Sequence, residues 1–147
     1  MGEAVSLGID LGTSELKAIL LDSQGKVLAQ AGARVSVDRR QSGWSEQHPA
    51  DWWQACLAAL GQLRAEHPTA WGRIACIGLS GQMHGAVLLD AANQVLYPAI
   101  LWDDSRAVAE AEHLNHEGAN YAQHTGSLAM AGLTAPKLLW LQHYEPQ

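Results

Sequence analysis

The sequence predicts an α/β domain in which a mixed sheet begins as an antiparallel three-stranded meander and is flanked by helices. Three observations carry that expectation. Three short apolar segments, residues 6–11, 16–22 and 27–37, follow one another near the N-terminus with turn residues between them. Residues 49–66 then carry apolar side chains at helical spacing. A further short apolar run at residues 73–80 follows that helix, so it can return as a strand parallel to the first through a helical crossover.

Each element has a local reason. Residues 6–11 and 16–22 are rich in Ile and Leu, and the Gly12-Thr13-Ser14 turn between them lets the chain reverse. Ser23-Gln24-Gly25-Lys26 supplies the second turn, with glycine where positive φ is useful. Residues 38–49 are polar and turn-rich. Pro49 suits a first helical turn. Trp52, Trp53, Cys56, Leu57, Leu60 and Leu63 then form one helical stripe, read as core rather than as a ligand platform because it continues in phase with leucine. Pro68 is expected to end that helix. Residues 73–80 read as a buried strand. Residues 86–89 and 94–102 read as a hairpin around Asp90-Ala-Ala-Asn93. Residues 103–117 read as a helix and residues 118–134 as a loop. Thr134 is expected to cap a last helix, with Pro136 in its first turn and Leu138, Leu139, Trp140 and Leu141 as its apolar face. No internal repeat and no linker divides the chain.

Composition bounds the function. The chain has 147 residues, 48% of them hydrophobic, enough for a packed core. A formal net charge of -6 with no run of Lys or Arg argues against nucleic acid and against an anionic membrane surface. Cys56 and Cys76 lie in apolar segments and have no metal-ligand spacing. No signal peptide and no bilayer-spanning stretch is read, so the expected location is the cytoplasm.

The chemistry is expected at strand ends. Asp10 closes the first strand, and Gly12, Thr13, Ser14 and Lys17 follow at once. Successive backbone N–H groups in a tight turn make an anion-binding concavity. A carboxylate beside it suits a hydrated Mg²⁺ between protein and phosphate. The same residues also fit an ordinary hairpin turn. Ser80-Gly-Gln-Met-His-Gly85 lies at the carboxyl end of a strand, where ligands of open α/β sheets bind. Gln82 and His84 offer hydrogen-bonding groups and Met83 an apolar contact. Asp103, Asp104 and Arg106 end another predicted strand. Such a set suits a polyhydroxylated ligand. On their own, His84 fits a structural loop histidine and Arg106 a surface ion pair with Asp103 or Glu110.

The element order resembles the nucleotide-binding half of the ribonuclease-H-like, actin-like ATPase fold. The segments Gly8-Ile-Asp-Leu-Gly-Thr-Ser14, Trp44-Ser-Glu-Gln47, Trp52-Trp53, Gly81-Gln-Met-His-Gly85, Pro98-Ala-Ile-Leu-Trp102 and Thr134-Ala-Pro-Lys-Leu-Leu-Trp140 resemble the FGGY family of carbohydrate kinases, in particular its xylulose-phosphorylating branch. They run through nearly the whole chain in order. The resemblance implies that residues 1–147 form the N-terminal part of the first kinase domain, with a second domain outside this chain. It implies ATP-dependent phosphorylation of D-xylulose to D-xylulose 5-phosphate with Mg²⁺. Asp10 would hold the metal–phosphate end as catalytic and metal residue, and Gly12, Thr13, Ser14 and Lys17 would hold the phosphates. Gln82, Met83, His84, Asp104 and Arg106 would line the sugar site. Another ketose, polyol or sugar acid, or a non-catalytic nucleotide switch, are the competing expectations. The catalytic base has no counterpart in these residues, so the chain alone is expected to be inactive, to bind sugar weakly and to self-associate through bare apolar surface. Glu15 and Asp103 depart from the family, which commonly has a small residue and an Asn there.

Overall fold

The computed structural model describes residues 2–116 and 120–146. Glu117, the expected end of the second helix, and Gly118, the expected start of the following loop, lie outside them. The chain divides into two compact units, residues 1–36 with 50–82, and residues 37–49 with 83–147. It passes between them at residues 36–37, 49–50 and 82–83, so no single linker could be legible in the sequence.

The first unit is built on a four-stranded sheet. β1 (Val5–Leu11), β2 (Glu15–Leu21) and β3 (Val27–Arg34) form the expected meander, with β1–β2 and β2–β3 antiparallel. Gly25, at φ +80°, makes the second turn. After β4 (Glu46–Gln47) of the second unit, α1 (Pro49–Glu66) crosses over and the short α2 (Pro68–Trp71) follows. Pro68 thus opens a second helix rather than only ending the first. β5 (Ile74–Gly81) then pairs parallel to β1, as expected of a strand that returns through a helical crossover, giving the order β3-β2-β1-β5.

Alternation sets the core. Val5 and Leu7 of β1 and Leu16, Ala18 and Leu20 of β2 point to one face and pack with Ala55, Ala59 and Leu63 of α1. Trp52, Cys56 and Leu60 join at the margin, whereas Trp53 is 61% exposed and Leu57 is also exposed. The helical stripe is therefore narrower than its hydrophobic residues. The other correction concerns β5, expected to be buried. Only Ile74 is even partly covered, and Ile77 and Leu79 are 62% and 79% exposed. One edge of β5 meets β1. Nothing among the described residues pairs with the other.

The second unit is organised around polar and aromatic side chains. β4 pairs antiparallel with β6 (Ala99–Ile100). The expected hairpin at residues 86–102 is present only in outline: Asp90 Oδ1 accepts from the Ala92 and Gln94 amides, and the isolated antiparallel bridges Leu89–Val95 and Ala86–Ile100 follow. The side-chain cap closes the turn, but no long ladder grows from it. The next helix, α3 (Val108–His116), starts five residues later than expected, because residues 103–107 are held in a loop by side-chain contacts. α4 (Tyr121–Thr125) falls inside the expected loop. α5 (Thr134–Tyr144) has Leu133, not Thr134, at its N-cap, without a side-chain capping bond. It buries Pro136, Lys137, Trp140 and Leu141, while Leu138 is exposed. No helix among the described residues is long and apolar enough to cross a membrane.

Candidate functional site

In the first unit, the strand register assembles the phosphate-end candidates. Asp10 stands opposite Lys17 of β2 and level with Ser80 of β5. The three form one row on the sheet face away from α1, and Asp10 is exposed. Gly8 and Gly78 are also paired on that face. They leave a shallow depression of about 450 Å³ lined by Gly8, Asp10, Lys17, Ile19, Gly78, Leu79 and Ser80. A Cβ at Gly8 would come within 3.1 Å of the Ile19 side chain, so the floor is already closely fitted. The depression is open, carries one carboxylate and one ammonium, and no cluster of three His, Cys, Asp or Glu able to cage a metal exists among the described residues. One carboxylate beside room for phosphate fits Mg²⁺, which takes one or two carboxylates and completes its shell with phosphate oxygens and water.

The adjoining turn is tight for a reason other than the one expected. Gly12 does not have positive φ. Its amide donates to the Glu15 carbonyl at 3.0 Å, and a Cβ there would lie 2.9 Å from that same oxygen. Space, not handedness, requires glycine. Gln82, at the end of β5, lies beside this turn: its Nε2 is 3.5 Å from the Gly12 carbonyl and the Thr13 hydroxyl is 3.4 Å from its Oε1. The structure thus gives Gln82 partners in the Gly12–Ser14 turn. Glu15 shares the face of Lys17, but its carboxylate lies over Gly32 of β3, on the side away from β1, 3.7 Å from the Lys17 ammonium. That exposed pair contributes little, roughly 0–1 kcal/mol. The Lys17 ammonium stays available to an anion.

The second unit holds Met83, His84, Asp104 and Arg106. Met83 and His84 are exposed. His84 has φ +58°, the left-handed region, so within Gly81–Gly85 the histidine and neither glycine makes the sharp reversal. Its carbonyl accepts from the Lys137 ammonium at 2.9 Å, and the same ammonium donates to the Gly132 carbonyl at 2.8 Å.

Asp104 and Arg106 are placed otherwise than expected. Both side chains are 1% exposed and face each other. Arg106 donates from Nε to Asp104 Oδ1, from Nη2 to Asp104 Oδ2, and from Nη1 to Glu46 Oε1 at 2.6 Å. Asp104 also accepts from the Arg106 and Ser45 amides. The guanidinium lies 3.6 Å from the Trp44 ring centroid and 5.0 Å from that of Trp140. Burial alone would lower the Arg106 pKa; the hydrogen bonds to Asp104 and Glu46 outweigh it and raise the value. The residues expected to face sugar hydroxyls are therefore an internal ion cluster, because a buried guanidinium needs its donors satisfied by the protein itself. Asp103, the family departure, accepts from Arg39 at 3.0 Å. A depression of this unit, about 770 Å³, is lined by Leu88, Leu96, Tyr97, Leu138, Leu141 and neighbours, and by none of the candidate residues.

Lys137 is the residue that sequence reasoning passed over. It is fully buried, and burial pushes its ammonium down to about 8, against attraction from Asp104 and Asp103. Below that pH both folded and unfolded chains are protonated, and the folded state bears the whole cost of the buried charge. Between about 8 and the ordinary 10.5, the folded protein releases the proton while the unfolded chain keeps it. Stability from this group therefore rises with pH across that window, by roughly 3 kcal/mol in all. Tyr97, whose hydroxyl is held above its ordinary 10.0 by burial and then by Glu46, acts in the opposite sense from about pH 10. Urea melts at pH 7.5 and 9.5 are expected to show wild type gaining on Lys137→Met as pH rises. An unchanged difference would remove the assignment.

Comparison with known proteins places these residues in a family. The model of the N-terminal domain of the FGGY family of carbohydrate kinases matches residues 5–147. The chain is 47% identical over 141 residues to the xylulose kinase of Escherichia coli strain K12, covering 96% of this chain and 29% of that protein. It is 48% identical over 139 residues to the xylulose kinase of Klebsiella pneumoniae, covering 95% and 28%. Among solved structures, a xyloylose kinase from Brucella ovis superposes with a TM-score of 0.92 at 47% identity, over 97% of this chain and 30% of that one. The xylulose kinase from Rhodospirillum rubrum does so with 0.90 at 31%, over 97% and 30%. The chain thus spans under a third of the length of the relatives it matches.

Proposed function

Since the chain belongs to the FGGY family of carbohydrate kinases, we propose that the protein carrying it phosphorylates D-xylulose at its terminal hydroxyl with ATP, giving D-xylulose 5-phosphate. The observation that carries the phosphoryl-transfer reading is the row of Asp10, Lys17 and Ser80 across three strands, beside the Gly12–Ser14 turn. The choice of ketose rests on the relatives named xylulose kinase at 47–48% identity.

Phosphoryl transfer is achieved mainly by positioning and charge stabilisation. Bound with the nucleotide, Mg²⁺ would neutralise and orient the phosphate oxygens. Asp10 would hold the metal end. The Thr13 and Ser14 hydroxyls and the Lys17 ammonium would hold the phosphates, and Gln82 would brace the turn that presents them. Met83 and His84 would contact the sugar, the imidazole pairing with a hydroxyl. Asp104 and Arg106 would serve that site from behind, by fixing the segment that carries them. A site that pairs each hydroxyl discriminates against analogues lacking one, whose binding leaves polar groups unpaired.

The test is turnover of the intact gene product on D-xylulose, ribulose, glycerol and gluconate with Mg-ATP. D-xylulose is expected to show the highest kcat/KM. A higher value on another acceptor would replace the substrate, and ATP hydrolysis indifferent to every acceptor would remove the kinase reading. The 147-residue chain alone is expected to give no phosphorylated sugar and sugar binding no tighter than about millimolar.

Self-association of that chain is a further expectation. β5 presents eight uncharged residues, an unpaired edge and two exposed large aliphatic side chains. Such an edge templates pairing with another strand. Sedimentation velocity should show dimers or larger species at high protein concentration, and a purely monomeric profile would count against it.

A further inference from the structure

We propose that Lys137 is a positioning residue for the acceptor end of the site, its ammonium clamping the backbone that aims His84. The inference rests on the reading of His84 as the sugar-facing side chain. It goes beyond that reading by naming what holds the histidine in place.

The argument starts from His84. A non-glycine residue at φ +58° occupies a sparsely populated region and stays there only where its surroundings determine it. His84 is exposed, so the packing of its own side chain supplies little of that determination. The constraint comes instead from behind the loop, where the His84 carbonyl is held by Lys137 Nζ at 2.9 Å. Fixing that carbonyl fixes the peptide plane between residues 84 and 85, and with it ψ of His84. The Cα–Cβ direction of the imidazole follows.

The clamp is itself anchored. The same Nζ holds the Gly132 carbonyl at 2.8 Å. Gly132 lies close against Trp102: a Cβ there would be only 2.3 Å from the Trp102 carbonyl oxygen. Trp102 opens the segment whose Asp104 and Arg106 are locked into the ion cluster. One ammonium therefore ties the His84 loop to the start of α5 and, through Gly132, to the segment that carries the buried Asp104–Arg106–Glu46 cluster. A lysine is a costly side chain to bury; a methionine of similar length would fill the space without charge or donors. What methionine cannot supply is two hydrogen bonds to carbonyls from different segments.

The experiment uses the full-length protein with Lys137→Met and Lys137→Arg. Arg keeps the donors but adds bulk, so it lowers Tm without releasing the loop. Met removes the donors. Lys137→Met is expected to raise the KM for the ketose at least tenfold, with the KM for ATP within twofold of wild type. Hydrogen exchange at the amides of residues 84–86 should quicken at least tenfold. Lys137→Arg is expected to keep both within a few-fold even where its Tm is lower. Wild-type ketose KM and wild-type exchange in Lys137→Met would overturn the proposal. So would losses in both variants that simply track Tm. Should Lys137→Met not fold, Lys137→Arg decides: near-wild-type exchange at residues 84–86 supports the clamp, and a tenfold increase removes it. Should wild type phosphorylate no ketose, the functional reading fails, while exchange at residues 84–86 still judges the clamp.

Discussion

Asp10→Asn in the intact protein is expected to lower kcat by about 100- to 1,000-fold while leaving the KM for the sugar within a few-fold. The substitution is isosteric, and Asp10 is exposed at the end of β1, so folding should be unaffected and Tm should stay within a degree or two. What is lost is one negative charge. In the row Lys17–Asp10–Ser80, Asp10 is the one carboxylate, and Glu15 cannot replace it, because its oxygens lie over β3. An amide can still accept a hydrogen bond from a metal-bound water, but it cannot balance the metal's charge. The ground-state complex should therefore form, and the transition state, where charge moves between phosphate oxygens, should lose its support. Steady-state kinetics at saturating Mg-ATP would check this. A variant within threefold of wild-type kcat would remove Asp10 from the reaction.

Such a prediction could be framed from the sequence because the N-terminal meander is local. Its strands alternate, its turns carry Gly12 and Gly25, and adjacent strands pair in order, so the end of β1 falls where chain reversal requires it. Crossover by α1 then brings β5 beside β1 with little ambiguity. What escaped were features decided by distant partners. Trp53 and Leu57 are apolar, yet at 100° per residue they fall outside the face centred on Ala55, Ala59 and Leu63, and they stay exposed. β5 has a buried strand's composition, yet only one of its edges is paired. Arg106 was legible as an ion-pair former, but its partner Glu46 lies sixty residues away, and no spacing rule reports that. Lys137 did leave a signal: it precedes Trp140 and Leu141 by three and four residues, which puts it on the buried stripe of α5. A lysine in that phase requires a carbonyl or carboxylate to receive it.

Arg106→Met is expected to destabilise the fold by about 3–5 kcal/mol, the largest stability effect of any single substitution considered. The reason lies in what remains behind. Asp104 would keep its bonds to the Ser45 and Arg106 amides, but both its oxygens would lose a cationic donor. Glu46, with its side chain 7% exposed, would lose its guanidinium partner altogether. Two buried carboxylates would then face each other across an uncharged side chain. Methionine does recover part of the contact with Trp44 and Trp140, because a thioether packs well on aromatic rings, but that amounts to about 1 kcal/mol at most. The cost is therefore mainly that of stranded charge, and this makes it separable. Glu46→Gln combined with Arg106→Met should be less destabilised than the sum of the two single variants, by about 1–3 kcal/mol, since each then removes a reason for the other. Additive losses in such a double-mutant cycle would mean that the guanidinium acts through its stacking between Trp44 and Trp140 and not through Glu46. Because Asp104 and Arg106 also anchor the segment behind Gly132, the single variant should raise the KM for the sugar as well as lower Tm, and the double variant should recover stability before it recovers binding.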